Sequence, residues 1–241
     1  RGEAIAVVPA DDITADEDAV HDYAQADEAG RAGGVCIQGI LHAVADVLAE
    51  AEEELGRIDA FAGDGDHGQG MRRGSTAAKD AADLAVKAGA GTASVLAVAG
   101  DAWADRAGGT SGALWGLLLR SWSVELGDNG NIDDGAVVRG GRRALDAVTT
   151  LGRAKPGDKT LVDAFVPFIE TLESAFLSGK SLVDSWNIAA EAAKAAAEAT
   201  APLAPKLGRA RPLAEKSIGH PDAGAISLAL VAETIGNKLK N

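Results

Sequence analysis

After Gly33, apolar residues recur at helical spacing almost to the end of the chain, and no segment alternates as a strand would. The first helical face runs directly into an Asp-rich loop and comprises Ile37, Ile40, Leu41, Val44, Val47, Leu48, Ala51, Leu55 and Ile58. Similar faces cover roughly residues 69–88, 92–107, 113–119, 136–151, 161–176, 181–201 and 223–239. The pattern predicts an all-α protein, an up-and-down bundle or barrel of about eight helices with polar loops clustered at its ends.

Composition agrees with helices and limits the partners. Aromatic residues make up only 4% of the chain and alanine is abundant, which favours closely packed helices over a β-sandwich. The net charge of −13 excludes a nucleic-acid partner, because phosphate backbones require a basic face. It still allows a bound nucleotide whose charge is balanced by a metal ion.

The expected compartment is the cytoplasm, without a membrane span. Cys36 is the only cysteine, so no intrachain disulfide can form, which fits a reducing compartment. No uninterrupted apolar run reaches the roughly 18 residues that a membrane-spanning helix needs. We therefore expect a cytoplasmic protein that does not bind a membrane.

The N-terminal part differs from the rest. Residues 1–30 hold nine acidic residues and one basic residue, and such a charge block is typical of a linker or tail. We predict an acidic linker or extension over residues 1–32, with one short strand-like run at 5–8, and a globular domain over residues 33–241. The chain starts at Arg1 rather than Met, which is consistent with a processed, truncated or tag-trimmed chain and leaves open whether an upstream domain was removed.

The Asp-rich loop over residues 59–70 carries the strongest chemical signal. Asp59, Asp64 and Asp66 lie within eight positions, and carboxylates this close repel one another unless a cation lies between them. Mg²⁺ is commonly held by a few carboxylates together with substrate phosphates. The spacing therefore predicts a Mg-nucleotide site with these three ligands. A solvent-exposed acidic turn is the alternative. An EF-hand is excluded, because the twelfth position counted from Asp64 is Ser75 rather than Glu.

Three further loops are candidates for nucleotide contacts. The glycine-rich turn at 108–112 precedes an apolar helix, so its free N–H groups suit a phosphate; a plain turn with Ser111 as N-cap is the alternative. Residues 152–160 have nearly the spacing of a P-loop, but Asp158 precedes Lys159 where that motif needs glycine. We reject a P-loop and retain the segment as a nucleotide contact. The long polar loop at 207–224 is the third candidate.

Taken together, four motifs resemble one family. They are Asp59-x4-Asp64-Gly-Asp66-His67-Gly68, the turn at 108–112, the Lys-Pro-Gly-Asp-Lys-Thr run at 155–160, and the Gly-Arg-Ala to Pro-Asp-Ala-Gly loop at 208–224. In this order and spacing they resemble the nucleotide-binding L domain of dihydroxyacetone kinases, over roughly residues 33–240. The resemblance implies eight antiparallel helices in a barrel, with ATP or ADP and two Mg²⁺ ions bound in the loops at one end.

The resemblance also assigns roles to residues of this chain. It implies that Asp59, Asp64 and Asp66 bind Mg²⁺ and act in catalysis with Arg209, which neutralises developing charge or clamps the nucleotide. A structural salt bridge is the alternative for Arg209, and capping of the turn is the alternative to phosphate donation for His67. The implied nucleotide contacts are His67, Gly68, Gln69, Gly70, Thr110, Ser111, Gly152, Leu161, Arg209, Asp222, Ala223 and Gly224.

Three positions depart from the family pattern. Gly70 stands where some relatives have Asn, which removes a side-chain contact to phosphate. Leu161 replaces a frequent Met, a hydrophobic exchange that cores tolerate. The run that starts at Arg211, Arg-Pro-Leu-Ala, replaces a more typical Ser-Tyr-Leu-Gly, so positioning and partner choice could differ there.

The implied activity is that of a glycerone-kinase-like enzyme, in which the ATP γ-phosphate passes to a short-chain ketose. In the family the ketose is held by a separate K domain or subunit, on a histidine, and none of the four histidines here lies in such a context. We therefore expect this chain to be one half of a kinase. Its ketose is dihydroxyacetone by default, with erythrulose-like sugars as alternatives.

Several alternatives stay open. The chain could belong to an ATP-dependent kinase, which the acidic leader favours, or be the ADP-retaining L subunit that a phosphotransferase-system partner rephosphorylates. A relative with the same fold serves fatty-acid kinases, so that role is a further option, although His67 favours the ketose kinases. A coactivator of a transcription factor and a structural module with a decayed site are hypotheses from other classes; the complete Asp triad argues against decay. A homodimer is also left open.

Overall fold

The computed structural model describes residue 23, residues 25–207, residue 211 and residues 214–240, and in these residues it contains helices and no strand. Eight helices have 15 residues or more, whereas α2 and α9 are short. The helices are α1 (Glu28–Glu50), α2 (Glu52–Asp59), α3 (His67–Lys87), α4 (Thr92–Ala107), α5 (Gly109–Ser123), α6 (Asp134–Gly152), α7 (Val162–Leu177), α8 (Leu182–Glu198), α9 (Ala214–Ser217) and α10 (Ala223–Lys238).

The eight long helices form a closed ring. From α3 to α8 each helix packs against the next, α10 packs against α8, and α1 closes the ring by contacting both α10 and α3. The connections α2–α3, α4–α5, α6–α7 and α8–α10 therefore lie at one end of the ring, which we call the site end. The connections α3–α4, α5–α6 and α7–α8 lie at the other, the far end. The predicted all-α, up-and-down barrel is confirmed.

The inside of the ring is apolar and contains most of the large side chains. A cavity of about 290 Å³ lies within it, and all four tryptophans of the chain line that cavity. Trp103 and Trp115 stack with ring centroids 5.1 Å apart. The Nε1 groups of Trp122 and Trp186 donate to backbone carbonyls of α6 and α10, each over 2.9 Å. The few aromatic residues are thus concentrated where they bury most apolar surface.

The beginning of the barrel differs from the sequence expectation in two details. α1 starts at Glu28 rather than near Gly33, because the Asp27 side chain caps it by accepting from the Gly30 N–H over 2.7 Å. The expected single helix is interrupted at Ala51, and α2 begins with three glutamates, whose negative charge stabilises a helix N-terminus. The strand-like run at 5–8 lies outside the described residues.

By length and composition, α1 is apolar enough to cross a membrane, with a mean hydropathy of 1.5 over its most apolar 18-residue window. This differs from the expectation that no segment qualifies. Core helices of globular proteins meet the same criterion, and here α1 buries Leu41, Val44 and Leu48 in the hydrophobic core of the barrel.

Candidate functional site

Three carboxylates converge at the site end. Asp59 is the last residue of α2, and Asp64 and Asp66 lie in the connection to α3. Each offers one oxygen, and these oxygens all lie within 4.8 Å of one another. Asp59 is half-buried and the other two are exposed. Oxygen ligands at these separations suit a hard divalent cation such as Mg²⁺. The predicted triad is therefore assembled, and its chemistry fits the expected metal.

Two glycines shape the loop around Asp59. A side chain at position 63 would come within 2.6 Å of the Asp59 carboxylate and displace it, so this position requires glycine. Gly65 has a φ of +77°, a conformation that favours glycine, and its N–H donates to Asp59 Oδ2 over 2.9 Å. The backbone thus bends around one ligand and fixes its orientation.

A cavity of about 290 Å³ opens beside the triad, between the four connections of the site end. Most of the residues predicted from the sequence line it: Asp59, Asp64, Asp66, His67, Thr110, Ser111, Gly152, Leu161, Asp222, Ala223 and Gly224. Leu114, Val148 and Leu207 contribute apolar surface to the same cavity. The cavity therefore combines three features that suit a nucleotide. Carboxylates can bind its metal ion, helix N-termini can bind its phosphates, and an apolar wall can contact its base.

Three predicted residues lie outside this cavity. Gly70 lines a smaller polar cavity of about 120 Å³ next to the first one, which shares His67, Thr110 and Ser111 with it. Gly68 is buried against the backbone of α2, and Gln69 is exposed beside an outer groove. Arg209 lies outside the described residues, so its role stays a prediction.

The α4–α5 connection presents a helix N-terminus to the cavity. α5 begins at Gly109 with Gly108 at the N-cap, so Ser111 lies in the first turn and the alternative that made it an N-cap is wrong. The first N–H groups of a helix have no partner within that helix and favour an anion. Thr110 and Ser111 thus lie where side-chain hydroxyls and backbone N–H groups can meet phosphate oxygens.

His67 is held by α10. Its Nε2 lies 3.0 Å from Ser227 Oγ, and the ring also forms a hydrogen bond to the backbone of Ala223. Burial lowers the pKa of His67 below its ordinary value, although the charge of Asp59 and the bond to Ala223 act in the opposite direction. The neutral imidazole is therefore favoured at neutral pH, with α10 fixing its orientation. Sequence reasoning did not foresee this contact.

Asp222 is half-buried and lies in the wall of the cavity. It caps α10 by accepting from the Ala225 N–H over 2.8 Å, while its own N–H donates to Thr200 Oγ1 over 2.8 Å. Burial raises the pKa of Asp222 to about 7; the bond from Ala225 opposes this increase, Asp163 adds to it and Lys159 opposes it. The carboxyl group therefore titrates near neutral pH in the protein without a ligand.

The structure adds two contacts that the sequence did not reveal. Lys159 is only 4% exposed, and its Nζ donates to the carbonyl oxygens of Leu203 and Ser217 over 2.9 and 2.7 Å. The rings of Phe61 and His220 stack with centroids 3.5 Å apart and join the Asp-rich loop to the α9–α10 connection. The partners are distant in sequence, so no local pattern could identify either contact.

Comparison with known proteins identifies relatives of this chain. The profile of the DAK2 domain matches residues 61–237. The chain is 56% identical over 211 residues to the D-erythrulose kinase of Mycolicibacterium smegmatis, covering 88% of this chain and 36% of that protein. It is 30% identical to the ADP-binding subunit DhaL of the Escherichia coli PEP-dependent dihydroxyacetone kinase, covering 79% of this chain and 90% of the subunit.

The fold has a counterpart among solved structures. The native dihydroxyacetone kinase of C. freundii matches with a TM-score of 0.63 and 24% identity, over 98% of this chain and 38% of that chain. The same kinase in complex with AMP-PNP and Mg²⁺ matches with a TM-score of 0.60. The chain spans about a third of the length of the erythrulose kinase and nearly all of the E. coli subunit. By profile and by identity, this chain belongs to the DAK2-domain family, the DhaL-type domain of dihydroxyacetone-type kinases.

Proposed function

We propose that this chain is the nucleotide-binding, phosphoryl-donor domain of a short-chain ketose kinase, and that the ketose is held by a separate K domain or subunit. The observation that carries the proposal is the convergence of three carboxylates at the mouth of a cavity that helix N-termini and apolar side chains also line. Phosphoryl transfer needs positioning and charge neutralisation more than covalent chemistry, and this cavity offers groups for both.

The carboxylates of Asp59, Asp64 and Asp66 would hold Mg²⁺, with two ions as the expected number. When bound, Mg²⁺ would neutralise charge on the phosphate oxygens while the γ-phosphoryl group passes from the β-phosphate oxygen of ATP to a hydroxyl oxygen of the ketose. The bend of the chain around Asp59 keeps one ligand in place before the metal arrives, which reduces the cost of assembling the site.

The chain's own donors would orient the phosphates. Thr110 and Ser111 offer hydroxyl and backbone N–H groups from the start of α5, and residues 222–224 offer the start of α10. Arg209 is proposed to neutralise the charge that develops during transfer. The apolar wall formed by Leu114, Val148 and Leu161 would contact the base and exclude water from it.

The names of the relatives support one class of acceptor. The M. smegmatis protein at 56% identity and a Pectobacterium atrosepticum protein at 50% identity are erythrulose kinases, whereas the E. coli dihydroxyacetone kinase subunit is 30% identical. We therefore favour an erythrulose-type ketose over dihydroxyacetone, and ATP as the free donor over retained ADP. The alternative, an ADP-retaining subunit served by a phosphotransferase-system partner, is supported by the 90% of the E. coli subunit that the chain covers.

A reconstituted assay tests the proposal. The purified chain is mixed with the separately expressed K domain of an erythrulose kinase, Mg²⁺, ATP and either erythrulose or dihydroxyacetone, and phosphorylated ketose is measured. We expect transfer only when both domains are present, with erythrulose as the better acceptor. Transfer by the chain alone would contradict the need for a K domain. Transfer that requires phosphoenolpyruvate and its carrier proteins instead of ATP would favour the ADP-retaining alternative.

A further inference from the structure

Lys159 is the one buried lysine among the described residues, and its surroundings are unusual for an ammonium group. It is 4% exposed, and the acceptors around its Nζ are three backbone carbonyls and one hydroxyl group. Its Nζ donates to Leu203 O over 2.9 Å and Ser217 O over 2.7 Å, with Ala201 O and Ser217 Oγ at 3.5 and 3.4 Å. A buried charge is costly unless such bonds compensate it, so this arrangement is specific.

The backbone at Lys159 is strained to reach this position. Its φ is +60°, a region that residues other than glycine rarely adopt. Such conformations persist when the surrounding contacts determine them, and they are frequent at ligand sites. Here Asp163 fixes the same loop by accepting from the N–H groups of Gly157 and Thr160 over 2.5 and 2.8 Å. The α6–α7 connection is thus built to direct the Lys159 side chain inwards.

The groups that accept hydrogen bonds from Lys159 lie in the α8–α10 connection, which also contains Asp222. Ala201 O also accepts from the Gly219 N–H over 2.8 Å, and the neighbouring Thr200 accepts from the Asp222 N–H. Asp222 caps α10, whose first residues line the nucleotide cavity. Lys159 therefore ties the loop between α6 and α7 to the loop between α8 and α10, which orients the first residues of α10.

Lys159 itself also lines that cavity. Thr160 and Leu161, which follow it, line one side, whereas residues 222–224 line the other. The walls are close, since a side chain at position 224 would meet Leu161 Cβ at 3.4 Å. The charge of Lys159 also acts on the Asp222 carboxyl group through space.

We propose that Lys159 is a positioning residue of the nucleotide site: its ammonium group fastens the α6–α7 connection to the α8–α10 connection and thereby sets the distance between the two walls that would enclose the nucleotide. This inference rests on the proposed function. It predicts that loss of Lys159 weakens nucleotide binding and leaves the metal ligands on the α2–α3 connection unaffected, since Lys159 contacts none of them.

The test compares Lys159→Met with two controls. Lys206→Met removes an exposed lysine that pairs with Asp158 of the same loop at 3.5 Å, and Asp27→Ala weakens the far end of the barrel. For each variant, ADP affinity in saturating Mg²⁺, Mn²⁺ affinity without nucleotide, and urea unfolding are measured. We expect Lys159→Met to weaken ADP binding by about tenfold or more with unchanged Mn²⁺ affinity, and both controls to bind ADP like the wild type.

The outcomes separate this inference from the proposed function. If folded Lys159→Met binds ADP like the wild type, or loses Mn²⁺ and ADP affinity equally, the positioning role is overturned. If the wild type itself binds no Mg-nucleotide, the proposed function fails as well, and amide hydrogen exchange at Gly219 and Asp222 then tests the fastening alone. Should Lys159→Met not fold, Lys159→Gln replaces it, because its amide still donates; we expect a smaller loss in the same direction.

Discussion

The two ends of the barrel use the same residue types, Asp and Gly, for different purposes. At the far end, carboxylates bind backbone N–H groups: Asp27 accepts from Gly30 and Gly130, and Asp128 accepts from Ser94 N–H and Oγ over 2.8 and 2.7 Å. At the site end, the oxygens of the Asp triad lie within 4.8 Å of one another. Both loops are rich in Asp and Gly, so the arrangement of the carboxylates, rather than composition, distinguishes a loop that holds helices together from a cation site.

The ends also differ in how ionisation affects stability. Backbone hydrogen bonds from Gly30 and Gly130 hold the pKa of Asp27 below its ordinary value, so its ionised form stabilises the fold. At the site end, burial raises the pKa of Asp222 to about 7, so its ionised form destabilises the protein without ligand. The far end is thus arranged for structure, whereas the site end holds unfavourable charge that a bound cation could balance.

The largest effect that this comparison predicts concerns pH. Asp222 has an ordinary pKa of 3.8 and a folded-state pKa of about 7, so between these values the folded protein binds more protons than the unfolded chain. Its contribution to the free energy of unfolding therefore falls as pH rises through this window, by up to about 4 kcal/mol, and levels off above pH 7. Asp27 has the opposite sign, since its stabilisation is lost as pH falls.

Urea unfolding of the wild type and Asp222→Asn at pH 5, 6, 7 and 8, in EDTA, measures this contribution. Asn still caps α10 but does not titrate, so the stability of the variant relative to the wild type should increase from pH 5 to 7. The pH dependence from His67 occurs in both proteins and cancels in the difference. A difference that stays constant with pH would show that Asp222 is ionised in the folded protein throughout.

A second prediction concerns the far end. Asp128→Ala leaves the N–H and hydroxyl groups of Ser94 without their acceptor, so the free energy of unfolding should fall by about 1–2 kcal/mol. Mg-nucleotide affinity should not change, because Asp128 lies at the other end of the barrel. Denaturant unfolding and a nucleotide titration of the same sample check both statements. Weakened nucleotide binding in this variant would break the functional separation of the two ends.

A smaller effect is expected from Mg²⁺ alone. At a Mg²⁺ concentration about five times its Kd, the wild type should gain about 1 kcal/mol of unfolding free energy, because the cation binds only the folded protein. Asp64→Asn should gain much less, whereas Asp128→Ala should gain as much as the wild type. The quantity measured is the shift of the thermal unfolding midpoint with added Mg²⁺. An equal shift in all three proteins would indicate general ionic screening.

Helical periodicity predicted the long helices and their order well, because each has one continuous apolar face. The ends of helices were less predictable. The Asp27 cap that starts α1 and the interruption at Ala51 depend on short-range capping and charge effects that periodicity does not contain. Likewise, α5 begins at Gly109, within a turn that the sequence assigned to a loop.

The site was predictable where its residues are close in sequence, as in the loop of Asp59, Asp64 and Asp66. It was not predictable where contacts span the chain. The acceptors of Lys159 lie 42 to 58 positions away, and Ser227 lies 160 positions from His67. Both contacts appear only once the helices return to the same end of the barrel, so the local sequence contains no sign of them.

The central claim is that the site end forms one Mg-nucleotide site around the Asp triad. Calorimetric titration of ADP into the wild type and Asp64→Asn, in Mg²⁺ and in EDTA and after removal of any nucleotide that purifies with the chain, tests it most directly. We expect ADP binding that requires Mg²⁺ and is weakened on the order of 100-fold or more in Asp64→Asn. ADP binding of equal affinity in EDTA, or in the variant, would contradict the claim.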